Sequence, residues 1–303
     1  MTVYSENFRT LHPHGELDPR ARNGHADPCM VAVPTSPAGY PMAPSAEEWA
    51  TLSPAQRAAV VAALPGEITY DEMAMPEGDR HSRAKARALD ALRGYFSRQR
   101  RQIYFGSELP IYYPAEPRFA PDLLAVLDVE DIERDKWVVG AEGKGLDWVL
   151  EVHVGGDRKK DAERNVTRYA RLGIPEYFLY DRARNRLQAY RLASPEARVY
   201  TPIVPNRGLY ESRVLGLEVE VDRDRLRFYA GTALLLESEE LIARIEALAN
   251  EAQQRAEEAE RLREEEARLR EEAERLREEE RRLREQAEQE VAQLRAELER
   301  LKR

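Results

Sequence analysis

Two acidic residues border apolar runs in the middle of this chain. Asp122 follows Pro121 and precedes Leu123-Leu124-Ala125-Val126-Leu127, and Glu151 follows Trp148-Val149-Leu150 and precedes Val152 and His153. A lysine pair, Lys159-Lys160, stands just beyond. Carboxylates on neighbouring strands can hold a hard divalent cation together with a substrate phosphate. Such a cation polarises the phosphoryl group and acidifies water, and a nearby lysine steadies developing charge. This is the minimal apparatus for metal-dependent cleavage of a phosphodiester. Strand alternation puts Val152 on the face opposite Glu151 and returns His153 to the same face. His153 is therefore a third candidate, and the main-chain carbonyl of Val152 could supply a further metal oxygen.

Each of these residues also has an ordinary structural reading. An Asp beside a strand is commonly a turn residue. Glu151, set between apolar neighbours, is costly to bury without a partner and would otherwise sit at an exposed edge. His153 could be a hydrogen-bonded structural histidine, and Lys159 and Lys160 a solvated helix start. Glu77 and His81 precede a long helical pattern and have the same choice between facing a site and solvating a helix N-terminus. Tyr169, Tyr177 and Trp148 read as core. Other site types lack their patterns: Gly143-Lys144-Gly145 is not a phosphate loop, no serine sits in a nucleophile elbow, and the five histidines are not at zinc spacing.

The elements that must position the acids follow from periodicity and punctuation. Ser45 with Glu48 predicts a capping box and a short helix, and Ser53-Pro54 starts a second that Pro65-Gly66 ends. Glu67 to Tyr70 reads as a strand. His81 to Arg98 reads as an amphipathic helix on Ala88, Leu89, Leu92, Tyr95 and Phe96. Strands are expected at Ile103–Phe105, Leu109–Tyr113, Asp122–Leu127, Trp137–Val139 and Asp147–Val154. Lys160 to Leu172 is a helix closed by Gly173 and Pro175. Strands at Tyr177–Tyr180 and Arg186–Leu192 come next, with two or three more from Tyr200 to Leu226. The order predicts a mixed sheet of α/β type flanked by helices.

Charge is unevenly spread. Residues 241–303 hold 15 of the 47 Lys and Arg and 19 of the 56 Asp and Glu, leaving 32 basic and 37 acidic residues, a net of −5, in the first 240. A mildly acidic folded part argues against a protein that coats nucleic acid without specificity, though not against a local basic groove. Residues 1–45 are rich in Pro, Ala, Gly and His and read as disordered. From Glu237 the chain reads as one long charged helix. Leu262, Leu269, Leu276 and Leu283 repeat every seven residues; a four-four spacing through Ala287 to Val291 then shifts the line to Leu294, Leu298 and Leu301, as in a stutter. A coiled coil over 237–303, joining two copies in parallel, is the natural reading, with a lone helix braced by Glu–Arg pairs as the alternative. The single cysteine, Cys29, excludes a disulfide framework within one chain. No apolar run spans a bilayer or resembles a signal peptide, so a cytoplasmic protein is expected.

The stretch around the acids resembles the Uma2 family of restriction-endonuclease-like proteins, a branch of the PD-(D/E)XK nuclease superfamily. The resemblance is carried by Pro65-Gly66-Glu67, Met75 to His81, Phe119-Ala120-Pro121-Asp122, Leu150-Glu151-Val152, Asp161, Asp181 and above all the run from Arg168 to Asp181, RYARLGIPEYFLYD. It spans roughly 46–235 and leaves the C-terminal helix outside. The resemblance implies a PD-(D/E)XK core with Asp122 and Glu151 as ligands of Mg²⁺ or Mn²⁺. It also implies a DNA endonuclease in which water attacks a phosphodiester. The superfamily usually has lysine two residues after the second acid, where this chain has His153. The family typically has lysine four residues before the tyrosine matched by Tyr169, where this chain has Asn165. Lys159 and Lys160 are the nearest substitutes. The competing expectation is a nuclease fold without activity, acting as a scaffold that oligomerises through its helix.

Overall fold

Every element that carries the two acids is built from runs too apolar to face water. The computed structural model describes residues 33–37, 39–67, 78–99, 101–155 and 159–301, the side chains of 159–162 excepted. The strand expected at Glu67–Tyr70 lies outside the described residues beyond Glu67, as does Glu77.

Strands β1 (Ile103–Gly106), β3 (Leu123–Leu127), β5 (Trp148–His153), β6 (Glu176–Asp181), β7 (Arg186–Leu192) and β8 (Tyr200–Pro202) form a six-stranded sheet in the order β1-β3-β5-β6-β7-β8. Only β5 and β6 are parallel within it. Parallel neighbours need a crossover, and α5 (Lys159–Arg171) supplies it. That helix ends as the sequence predicts. Gly173 has φ +76°, Ile174 N–H donates to Tyr169 O at 3.1 Å and Gly173 N–H donates to Ala170 O at 3.0 Å. This is the paired bonding of a Schellman motif, which needs a left-handed residue that glycine adopts without strain.

The sheet is buried on both faces. Leu123, Ala125, Trp148, Leu150 and Val152 pack with Leu92 and Phe96 of α3 (Gly78–Phe96) on one side. Leu124, Val126 and Val149 pack with Tyr169 and Ile174 at the α5 end on the other. β2 (Ile111–Tyr112) does not pair with β1. It runs parallel to β4 (Trp137–Val138), just ahead of the one-turn α4 (Val139–Glu142). The short helices α1 (Ala46–Thr51) and α2 (Pro54–Ala63) have the two capping boxes, Ser45 with Glu48 and Ser53 with Gln56. Val60 and Leu64 pack on Tyr112 and Val138. Of the segment read as structureless, 1–45, residues up to 32 lie outside the described part. Ala43 is buried and bridges to Pro114, and Met42 bridges to Pro117.

The C-terminal part of the domain holds more strand than expected. Only β8 continues the large sheet. β9 (Tyr210–Ser212), β10 (Leu217–Asp222), β11 (Arg225–Ala230) and β12 (Ala233–Leu234) form a separate antiparallel sheet. Its apolar face, with Leu217, Val219, Leu226 and Phe228, joins the core under α3. The chain then enters α6 (Ser238–Leu301), one helix of 64 residues with none buried. Its start is tied down: Ser238 donates from N–H and hydroxyl to the Asp90 carboxylate, each at 2.6 Å, and Arg227 grips Glu240 at 2.6 Å. The chain is thus a mixed α/β domain followed by a long helix.

Candidate active site

The antiparallel register of β3 and β5 pairs Leu123 with Leu150. One step further, past the last ladder pair, it sets Asp122 opposite Glu151. Each acid is held by the other's strand. Glu151 Oε2 accepts from Asp122 N–H at 3.3 Å, and Asp122 Oδ2 accepts from Val152 N–H at 2.7 Å. Pro121 and Asp122 are in turn fixed by the β1–β2 connection: Glu108 N–H donates to Pro121 O at 3.0 Å and the Ser107 hydroxyl to Asp122 O at 2.9 Å.

Their surroundings differ in charge. His81, in the first turn of α3, places Nε2 2.9 Å from Asp122 Oδ1. Lys85, one turn further, is close enough to favour the Asp122 carboxylate and ion-pairs with Glu108. Burial pushes Asp122 up, but His81, the Val152 N–H and Lys85 together outweigh it and hold the carboxyl below its usual range. Glu151 is met by neutral donors, the Asp122 N–H and the Tyr169 hydroxyl, the latter at 2.6 Å. Burial, and then the adjacent Asp122 charge, push its carboxyl well above the usual value. Burial and the neighbouring Glu151 likewise push Tyr169 up. Tyr177 packs edge-on against Tyr169, with ring centroids 5.1 Å apart, and its hydroxyl is buried without a hydrogen-bond partner among the described residues. The site is therefore a pair of carboxyls with unequal proton affinity, walled by aromatic rings on one side and flanked by cationic groups on the other.

The other residues singled out from sequence are placed as follows. His153 ends β5 on the Glu151 face, half-buried, its carbonyl accepting from Arg182 N–H at 2.8 Å. Val152 has its side chain in the core, so only its main chain faces the acids. Lys159 and Lys160 open α5, and their side chains lie outside the described part. Asn165 is half-buried in α5. Two contacts escape a reading of the sequence. Tyr169 looks like core and is core, but its hydroxyl is aimed at Glu151. Lys85 sits in a run of basic and small residues, and only its four-residue spacing from His81 marks it as sharing that residue's face.

As hard oxygen donors, the paired carboxylates suit Mg²⁺ or Mn²⁺, and a cation between them would relieve the repulsion that raises Glu151. Among the described residues no group of three or more His, Cys, Asp or Glu is placed to hold a metal ion. The fit thus rests on two carboxylates and main-chain oxygen.

A family model described as "Uma2: Putative restriction endonuclease" matches residues 53–222. That is more than half of the chain, which belongs to the Uma2 family. In structure the chain is similar to a protein from Anabaena variabilis described as "a putative nuclease belonging to DUF820", at 15% identity and a TM-score of 0.37, over 47% of this chain and 76% of that one. No curated protein matches the sequence. Among the described residues no helix is long and apolar enough to cross a membrane.

Proposed function

We propose that this chain is a metal-dependent endonuclease that hydrolyses DNA phosphodiester bonds in the cytoplasm, with Asp122 and Glu151 as its metal-binding acids. The observation that carries this reading is the carboxyl pair at the end of β3 and β5, buried and held by the opposing strand. Without a cation, burial and the Asp122 charge favour the protonated form of Glu151. Asp122, Glu151 and the Val152 carbonyl would hold Mg²⁺ or Mn²⁺, which supplies Lewis acidity to the phosphoryl group.

The chain's own groups divide the remaining work. Asp122 stays ionised under His81 and Lys85. Glu151 gives up its proton when positive charge arrives, and Tyr169 then holds the carboxylate in place. Lys85 brings a cationic group to the acids, the part taken by lysine elsewhere in the superfamily. His153 follows Glu151 on β5, and Lys159 and Lys160, at the start of α5, are the other basic residues this reading assigns to the site. Two copies joined through residues 237–303 would present one site to each strand of a duplex.

Plasmid nicking with Mg²⁺ or Mn²⁺ tests the reading, wild type against Glu151→Ala. A loss of roughly a hundredfold or more is expected, since even supporting residues of metal sites cost ~10–100-fold. Equal residual activity in both proteins would sink the assignment. It would favour the inactive scaffold that His153 and Asn165, standing where lysine is usual, make the second reading.

A further inference from the structure

The long helix leaves its most regular apolar feature uncovered. Leu262, Leu269, Leu276 and Leu283 each keep 60% of their surface in water. They lie on one stripe every seven residues, the period that keeps one face of two supercoiled helices in contact. Counting back from Leu262 in alternating steps of three and four gives Ala259, Arg255, Ala252, Leu248, Ile245 and Leu241. The stripe therefore runs from the first turn of α6 to its last, interrupted by Arg255, Glu266 and Glu280.

The charges beside the stripe identify its partner. With the leucines at position d of the heptad, Arg263, Arg270, Arg277 and Arg284 occupy e, and Glu265, Glu272 and Glu279 occupy g. In a parallel pair, each g residue faces the e residue of the next heptad on the other helix. Glu265 then meets Arg270, Glu272 meets Arg277 and Glu279 meets Arg284 of a second copy, and the two-fold axis repeats every pair. In an antiparallel pair g faces g and e faces e, so glutamates oppose glutamates and arginines oppose arginines. The a positions alternate Glu266, Ala273, Glu280 and Ala287. Small residues let the helices approach. Glu266 carries its own cation, Arg270 of the same helix at 2.6 Å, and stays near water in a two-stranded coil, whereas more strands would enclose it.

We infer that α6 pairs with α6 of a second copy as a parallel, in-register, two-stranded coiled coil. The inference rests on the pairing of two copies proposed above, and not on whether the site cleaves DNA. Because the first turn is bonded to Asp90 and Arg227, both domains then sit at the same end of the coil. An antiparallel coil would set them roughly 90 Å apart, at 1.5 Å per residue.

Cross-linking of the full chain separates pairing from direction. In a Cys29→Ser background, Leu276→Cys and Leu294→Cys each place one thiol on the stripe, near the middle and near the far end. Light scattering should give twice the 34.8 kDa of one chain, and oxidation should link both variants into dimers. A monomeric mass overturns the pairing and the inference with it. A dimeric mass with Leu294→Cys unlinked, whether or not Leu276→Cys links, overturns the parallel direction alone. Reversing Arg270, Arg277 and Arg284 to Glu should weaken dimerisation at least tenfold in low salt, and unchanged dimerisation would remove the charge argument.

Discussion

Glu151 is the residue whose proton decides what the site can do. Its carboxyl is pushed well above the usual 4.5, first by burial and then by Asp122. Between that ordinary value and the raised one, the folded chain holds a proton that the unfolded chain releases. Stability contributed here is therefore full below about 4.5 and falls as pH rises through the raised value. Asp122 works in the opposite sense: its lowered carboxyl stabilises above the ordinary 3.8, and that is lost as pH falls through the lowered value. Glu151→Gln removes the first penalty and should raise Tm at pH 8 while leaving pH 5 little changed. Each 1 kcal/mol relieved moves Tm by roughly 2–4 °C in a domain of this size. A variant no more stable than wild type at pH 8 would mean that Glu151 carries no such penalty. A cation reverses the slope because it needs Glu151 ionised, so the Tm rise produced by Mg²⁺ should be larger at pH 8 than at pH 5.5. Tyr169→Phe keeps the ring packing and loses only the donor to Glu151. Metal affinity should fall about 10–100-fold by calorimetry, with little change in Tm without metal.

At the scale of elements, Glu176 shows how the two sheets are locked beneath this site. It opens β6 with only 1% of its surface exposed, and accepts from Arg191 Nε at 2.9 Å, the Ser212 hydroxyl at 2.6 Å and Arg213 N–H at 2.9 Å. One carboxylate thus ties the large sheet to the start of the small one. Glu176→Ala should cost about 3 kcal/mol, the lower end for breaking a buried pair, because Arg191 keeps Glu211 as a partner. Urea denaturation checks it, and a loss under 1 kcal/mol would mean that packing alone joins the sheets. Little of this tie is legible in the sequence, although Glu176 lies within its most distinctive run. Strand existence is legible at β3 and β5 because Leu123–Leu127 and Trp148–Leu150 are continuous apolar runs, and helix ends are legible at Ser45, Ser53 and Gly173 because caps act locally. Pairing is not legible, since it depends on contacts between distant segments. β1 and β2 are neighbours in sequence and belong to different sheets. The β10–β11 hairpin shows a period of two, which reveals a buried face but not which sheet it joins. The acids stand out in the sequence because each adjoins a strand; Lys85 does not, because its proximity to Asp122 arises only when α3 is laid across the sheet.

At the scale of the whole molecule, the helix and the site make one prediction together. A duplex is cut through when both strands are broken in one encounter, and one site per domain breaks one strand. A parallel coil brings two domains to the same end and so to the same stretch of DNA. Wild type should then convert supercoiled plasmid to linear product with little nicked circle accumulating. The variant with Arg270, Arg277 and Arg284 changed to Glu keeps the site intact, because its nearest change lies more than 30 residues along α6 from the domain. It should nick at an undiminished rate per site and accumulate nicked circles before any linear form. The ratio of linear to nicked product should recover with protein concentration, because mass action restores the pair. Added salt weakens surface ion pairs and should therefore loosen the pair and shift wild type toward nicking. If the charge-reversed variant linearises plasmid as wild type does while remaining monomeric, the two strands are cut independently. The coil would then serve some purpose other than pairing active sites.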